Sequence, residues 1–184
     1  MLQSVYTEKV KAISESITKS QDIKTSIWLE NVLFTPHWWL GLSLAIIPWV
    51  LWAFLSKKDS RHRLLYTGFL ILIISSFLDF LGAQYGLWIY YYEVMPWLPA
   101  YIPWDCTLIP VIILGIIEYK PEVSPLLKGI IFSTVASFGG GPLFEFFRFY
   151  EMLNWEHIYS FPIYFVIYLI ANWHSRRDDF SPYW

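Results

Sequence analysis

Charge is what this sequence most lacks. Of 184 residues, 13 are Lys or Arg and 15 are Asp or Glu, so 15% are charged and the net charge is −2, against roughly a quarter charged in a soluble domain. That is too little to coat a water-facing surface. With 56% hydrophobic residues and a mean hydropathy of +0.43, it excludes an ordinary cytosolic protein. The single cysteine, Cys106, excludes a disulfide scaffold. No basic block is present, which removes nucleic acid from the partners. HExxH, CxxC, Asp-rich and G-x-S-x-G strings are absent as well. No metal signature or serine-hydrolase elbow is therefore on offer, and the sequence names no cofactor.

What is abundant is apolar runs and rings: 21% of the residues are Phe, Trp or Tyr. Five stretches approach the roughly 20 residues that a hydrocarbon layer of about 30 Å demands: 38–55, 64–81, 101–117, 125–147 and 158–173. The pattern predicts an all-α fold, a five-span transmembrane helical bundle over 37–184. Residues 1–36 lack the apolar core of a signal peptide. Tyr6, Val10, Ala12, Ile13 and Ile17 recur there at helical spacing among Glu8, Lys9, Lys11, Glu15 and Lys19, which predicts an amphipathic helix. It would lie on the outer surface, pack on a protein partner or cap its own bundle.

Lys and Arg set the expected orientation. Lys57, Lys58, Arg61, Arg63, Lys120, Lys128, Arg176 and Arg177 all fall on one side, whereas loops 82–100 and 148–157 hold only Arg148. The first side is predicted to be cytoplasmic in a multi-pass protein of the plasma membrane, with the N-terminus outside.

Three ionisable groups sit inside the spans, where they are costly and mark function by default: Asp79, Asp105 and Glu145. Counting helical rise from the nearest inner-face basic residue puts them about 24, 22 and 26 Å deep. Three acids on separate helices thus reach one level of the outer leaflet and are predicted to line a single cavity. Trp88, Tyr90, Trp104 and Phe144 fall at the same height as expected lining, and His157 is placed to pair with one of the acids. An aromatic belt at the membrane interface explains the same rings. In span four, Gly139-Gly140-Gly141-Pro142 predicts a helix break whose free N–H groups favour an anion. Close helix packing through Ser133, Ser137 and Gly141 accounts for the same string. Pro103 and Pro110 flank Asp105 and free carbonyls near it.

Three functions follow from a buried acid among rings. A carboxylic acid in an apolar pocket protonates an alkene or epoxide of an isoprenoid-like or other lipid-like molecule, with aromatic faces stabilising the cation; Asp105 or Glu145 would be the donor and Asp79 its partner. Clustered acids equally serve a proton or cation carrier. They also serve a non-catalytic protein, contacting membrane lipids and a partner, whose helices they join by hydrogen bonds.

Leu78-Asp79-Phe80-Leu81-Gly82, Gly86-Leu87-Trp88-Ile89-Tyr90, Pro103-Trp104-Asp105 and then Pro142-Leu143-Phe144-Glu145 with Trp155 resemble a family of small multi-pass membrane proteins of Gram-positive, spore-forming bacteria. That resemblance spans about residues 38–175 and implies a membrane location, with no assigned activity. The Asp79, Trp88–Tyr90 and Pro103-Trp104-Asp105-Cys106 strings also resemble, more loosely, integral-membrane cyclases of the lycopene-cyclase type, with one acid where that pattern has two. This second resemblance implies a cyclase or isomerase role for the acids.

Overall fold

The computed structural model describes residues 2–177, with side chains from residue 5. The end of the expected transmembrane domain, 178–184, lies outside the described residues. The fold is mostly helical: α1 (Leu2–Asn31), α2 (Pro36–Leu55), α3 (Arg61–Gln84), α4 (Ile109–Glu118), α5 (Pro125–Val135), α6 (Gly141–Phe146) and α7 (His157–Ser175). A π-helical segment, Ile102–Leu108, leads into α4, and a second, Ala136–Gly140, joins α5 to α6.

Among the described residues, three helices are long and apolar enough to cross a membrane: α2, α3 and the continuous run Pro125–Phe146, with 20, 24 and 22 residues. Phe54, Leu55, Phe69, Ile73 and Val135 stand exposed on them, as a membrane protein requires. Five were expected. The stretch predicted at 101–117 forms a helical run of only 17 residues, Ile102–Glu118. The one at 158–173 forms α7, which is 19 residues long but diluted by Ser160, Asn172 and His174.

Sequence dictates these ends locally. Thr35 caps α2 by accepting from the Trp38 amide at 3.3 Å, with Pro36 in the first turn, where its missing N–H costs nothing. Pro110 deprives preceding carbonyls of a donor, and side chains from neighbouring helices replace it. Ser75 Oγ donates to the Asp105 carbonyl at 2.8 Å, and Trp49 Nε1 donates to the Cys106 carbonyl at 2.9 Å. These two bonds fasten the π-helical segment between α3 and α2. At the opposite end Glu118 accepts from the Lys57 amide and Ser60 Oγ, and Thr67 Oγ1 meets His174 Nδ1 at 3.0 Å. The core between is Ile71, Ile113, Leu114, Phe132, Ile167, Tyr168 and their neighbours.

The glycines of span four do not break the helix. Gly140 and Gly141 have right-handed φ of −63° and −54°, and the Gly141 amide donates to the Ala136 carbonyl, so no free amide end is left for an anion. The glycines permit contact instead. A Cβ on Gly140 would lie 2.4 Å from the Trp104 ring, whereas one on Gly139 would meet nothing closer than 4.0 Å. Ser133, Ser137 and Gly141 are all buried along the same row, which is close packing.

Two short strands were not anticipated. β1 (Trp88–Tyr90) and β2 (Tyr150–Met152) pair antiparallel, with Tyr90 opposite Tyr150 and Trp88 opposite Met152, so the two loops expected outside form one ribbon. The long α1 is exposed along Tyr6, Val10, Ile13 and Ile17, and only its last turns dock on its own chain. Lys24 pairs with Glu93 at 2.7 Å, and Trp28 Nε1 donates to the Glu93 carbonyl at 2.7 Å.

Overpacking a filled contact costs about 1–3 kcal/mol. Gly140→Ala is therefore expected to lower the thermal midpoint of the detergent-solubilised protein, with Gly139→Ala close to wild type. Equal midpoints for the two would contradict the ring contact.

Candidate functional site

A cavity of about 320 Å³ lies beneath the ribbon, between α3 and α7, walled by the first π-helical segment and α6. Alternation along the strands aims its roof. Residues two apart share a face, so Trp88, Tyr90, Tyr150 and Met152 line the cavity while Ile89 and Glu151 point out. Glu151 accepts from the Tyr91 hydroxyl on that outer side.

Asp79 and Asp105 both line it, 6% and 5% exposed, and Tyr101 ties them together: its amide donates to Asp79 Oδ2 at 3.0 Å and its carbonyl accepts from the Asp105 amide at 2.9 Å. Their surroundings differ. Asp79 Oδ1 accepts from Trp88 Nε1 at 2.9 Å and from the Tyr90 hydroxyl, and its Oδ2 accepts from the Tyr101 amide at 3.0 Å. Burial and the neighbouring acids push the Tyr90 phenol well above its ordinary range, so it stays a donor. Asp105 Oδ2, by contrast, is buried and meets no donor.

Rings complete the wall. Tyr90 and Tyr101 stack with centroids 4.5 Å apart, Trp104 meets Phe144 edge-on at 5.0 Å, and Trp88 meets Trp155 at 5.8 Å. Trp104 is held by donating Nε1 to the Tyr164 hydroxyl at 2.8 Å. The lining contains no Lys, Arg or His. It reaches the surface on α3 at Leu78 and Tyr85, 37% and 79% exposed, with half-buried Ser160 and Ile163 of α7 beyond them. The cavity therefore opens on the side of the bundle.

Glu145 is not brought to the other two acids. Gly141 and Phe144 put their face of α6 into the cavity. Glu145, one residue on, is turned about 100° away into a shallow outer depression with Arg148, Tyr91 and Glu151. There its Oε2 meets His157 Nε2 at 3.2 Å. His157 does pair with an acid, as expected, but it does not line the cavity. Azimuth, which residue counts along a helix do not give, separates Glu145 from the two aspartates. Trp88, Tyr90, Trp104 and Phe144 are all in the lining. Sequence reasoning missed Tyr150, Tyr164 and Ser160 as lining; for the last two the available signal was a pair of hydroxyls four residues apart, which share one face of α7. Among the described residues no His, Cys, Asp and Glu gather into a set of three that would hold a metal ion.

No family model, curated protein or solved structure matches the chain. The site's own chemistry carries the argument.

An Asn at 79 turns an NH₂ toward one of three donors, and a buried unsatisfied donor costs about 1–3 kcal/mol. Asp79→Asn is expected to lower the thermal midpoint more than Tyr90→Phe, which removes a single donor. Unchanged stability of D79N in a melting experiment would refute the three-donor anchor.

Proposed function

We propose that this is a five-span plasma-membrane protein whose outer-leaflet cavity binds and converts a lipid or isoprenoid-like molecule by acid catalysis. One observation carries the reading: two carboxyl groups, one saturated and one lacking a donor, share an aromatic cavity free of basic residues. Two buried carboxyl groups lining one small cavity with no cation beside them do not both ionise. Three donors favour the charged form of Asp79, so the proton rests on Asp105. Transfer of that proton to a substrate alkene forms a C–H bond and breaks the O–H bond, leaving a carbocation faced by rings and two carboxylates. Loss of a neighbouring proton back to a carboxylate restores the acid and yields an isomerised or cyclised product without net oxidation. Asp105 is the donor in this scheme and Asp79 its partner.

Five crossings are supported by where the shorter runs end. Ile102–Glu118 starts beside the roof, at Tyr101, and ends where Glu118 meets Lys57 and Ser60, so it covers the same height as α2 and α3. α7 likewise runs from Glu145 to Thr67. The basic loops gather at the Glu118 end, which we assign to the cytoplasm. The strings that resemble small multi-pass proteins and membrane cyclases meet at the cavity through Asp79, Gly82, Trp88, Tyr90, Trp104, Asp105, Phe144 and Trp155, which supports the same assignment. A second reading, a non-catalytic partner protein, has one observation in its favour: the exposed stripe Tyr6–Val10–Ile13–Ile17 of α1.

Gentle purification followed by mass spectrometry of retained small molecules is expected to find a polyisoprenoid or related lipid. Asp105→Asn is expected to fold and to abolish its conversion. A retained peptide, or D105N that unfolds, would favour the partner reading. Cysteines placed at Trp97 and Glu156 are expected to react with an impermeant thiol reagent on intact cells, and those at Lys58 and Glu122 only after permeabilisation. The reverse pattern would invert the topology.

A further inference from the structure

We infer that the cavity selects a ligand with a positively charged head, an organic ammonium on an apolar chain or its equivalent in charge, and rejects anionic heads. The inference rests on the cavity being a ligand site and adds the class of ligand. Its first ground is charge. The dyad with one proton carries one negative charge, and nothing in the lining neutralises it, because Lys, Arg and His are all absent there. A phosphate, diphosphate or fatty-acid carboxylate would meet like charge without a single cationic donor, which low dielectric makes prohibitive.

The second ground is independent of the first. Asp105 Oδ2 is buried, lines the cavity and has no hydrogen-bond partner. An acceptor left so is expensive unless something supplies an N–H or O–H, and an ammonium N–H supplies one with charge assistance. The third ground is the wall. Trp88, Tyr90, Tyr101, Trp104, Phe144, Tyr150, Trp155 and Tyr164 surround that space with π faces and edges, the environment that recognises alkylated ammonium groups. The opening at Leu78 and Tyr85 is apolar and lateral, so a chain attached to the head leaves into the bilayer rather than through the ribbon. A stable ammonium amphiphile then mimics the cation of the acid-catalysed scheme, and the two share one recognition chemistry.

The test compares three probes of equal chain length, dodecyldimethylamine, dodecanol and dodecyl phosphate, binding to the full chain in a neutral maltoside detergent at pH 7, by thermophoresis. The amine is expected to bind at least tenfold more tightly than the alcohol, and the phosphate most weakly. Asp105→Leu, which removes the unpartnered acceptor and leaves the charge on Asp79, is expected to cut the amine's advantage over the alcohol at least threefold. Should that variant fail to fold, Trp155→Leu, which removes one ring, is expected to weaken the amine several-fold more than the alcohol. Equal binding of amine and alcohol to the wild type, or phosphate binding as tight as the amine, would overturn the inference. So would a folded D105L that keeps the full amine preference, or, where D105L does not fold, a W155L that weakens amine and alcohol alike. Failure here while a polyisoprenoid is retained and converted removes only the charge selectivity. Amine selectivity without any conversion leaves a cation site and removes the catalysis.

Discussion

The ribbon end of this molecule depends on one carboxylate. Asp79 projects from α3 and collects three donors from two separate parts of the chain: an indole and a phenol from β1 and a backbone amide at the start of the first π-helical segment. A carboxylate buried without such partners would be prohibitively costly, and with them it becomes a rivet. It pins the loop after α3 back onto α3 itself. Gly82 makes room for this, since a Cβ there would run into the Trp88 ring at 2.1 Å. β2 then follows β1 into place, and the roof of the cavity is set.

Asp105 stands on a backbone that is itself out of α register. Widening one turn to the π pattern leaves carbonyls unpaired and swings side chains off the α spacing, which is why such turns gather at functional sites. Here Ser75 and Trp49 take up the carbonyls of Asp105 and Cys106. The cost of the irregular turn is thus offset by neighbours on two helices, and the carboxyl is delivered beside Asp79 without a matching donor. The asymmetry between the two acids comes from this placement: one carboxyl is saturated with donors, and the other keeps an oxygen without one.

Much of this was legible in the sequence, and the remainder was hidden for identifiable reasons. Apolar runs bounded by Lys and Arg located all five helical stretches within a few residues, because burial in lipid demands length and leaves no ambiguity about period. Depth along a helix was readable from residue counts, which brought Asp79 and Asp105 to one level. Azimuth was not. A π-helical segment in the run up to Asp105 and another before Glu145 shift the angular reading, and one residue separates a cavity-facing Phe144 from an outward Glu145. The ribbon was invisible for a different reason: three-residue strands at Trp88–Tyr90 and Tyr150–Met152 lie about 60 residues apart in sequence, and each was masked by ring-rich composition that an interfacial belt explains equally well. Of the two readings that the glycine run allows, helix propensity favours a break, whereas Trp104 and His157 pack against it and tertiary contact decides for close packing.

The same loop that Asp79 holds from within is held from outside by α1. Three residues past Tyr90, Glu93 pairs with Lys24 and takes the Trp28 indole on its carbonyl, and Gln21 donates to the Pro96 carbonyl. Trp38 of α2 adds a further bond to the Val94 carbonyl. Burial pushes the Glu93 carboxyl above its ordinary range, and the Lys24 ammonium beside it acts in the opposite direction. The face of α1 that docks here, Gln21, Lys24 and Trp28, continues toward the N-terminus as Tyr6, Val10, Ile13 and Ile17 at the same helical phase. The helix that carries the exposed stripe and the strand that carries Trp88 and Tyr90 are therefore joined through one loop, whose Glu93 and Pro96 are gripped by Gln21, Lys24 and Trp28.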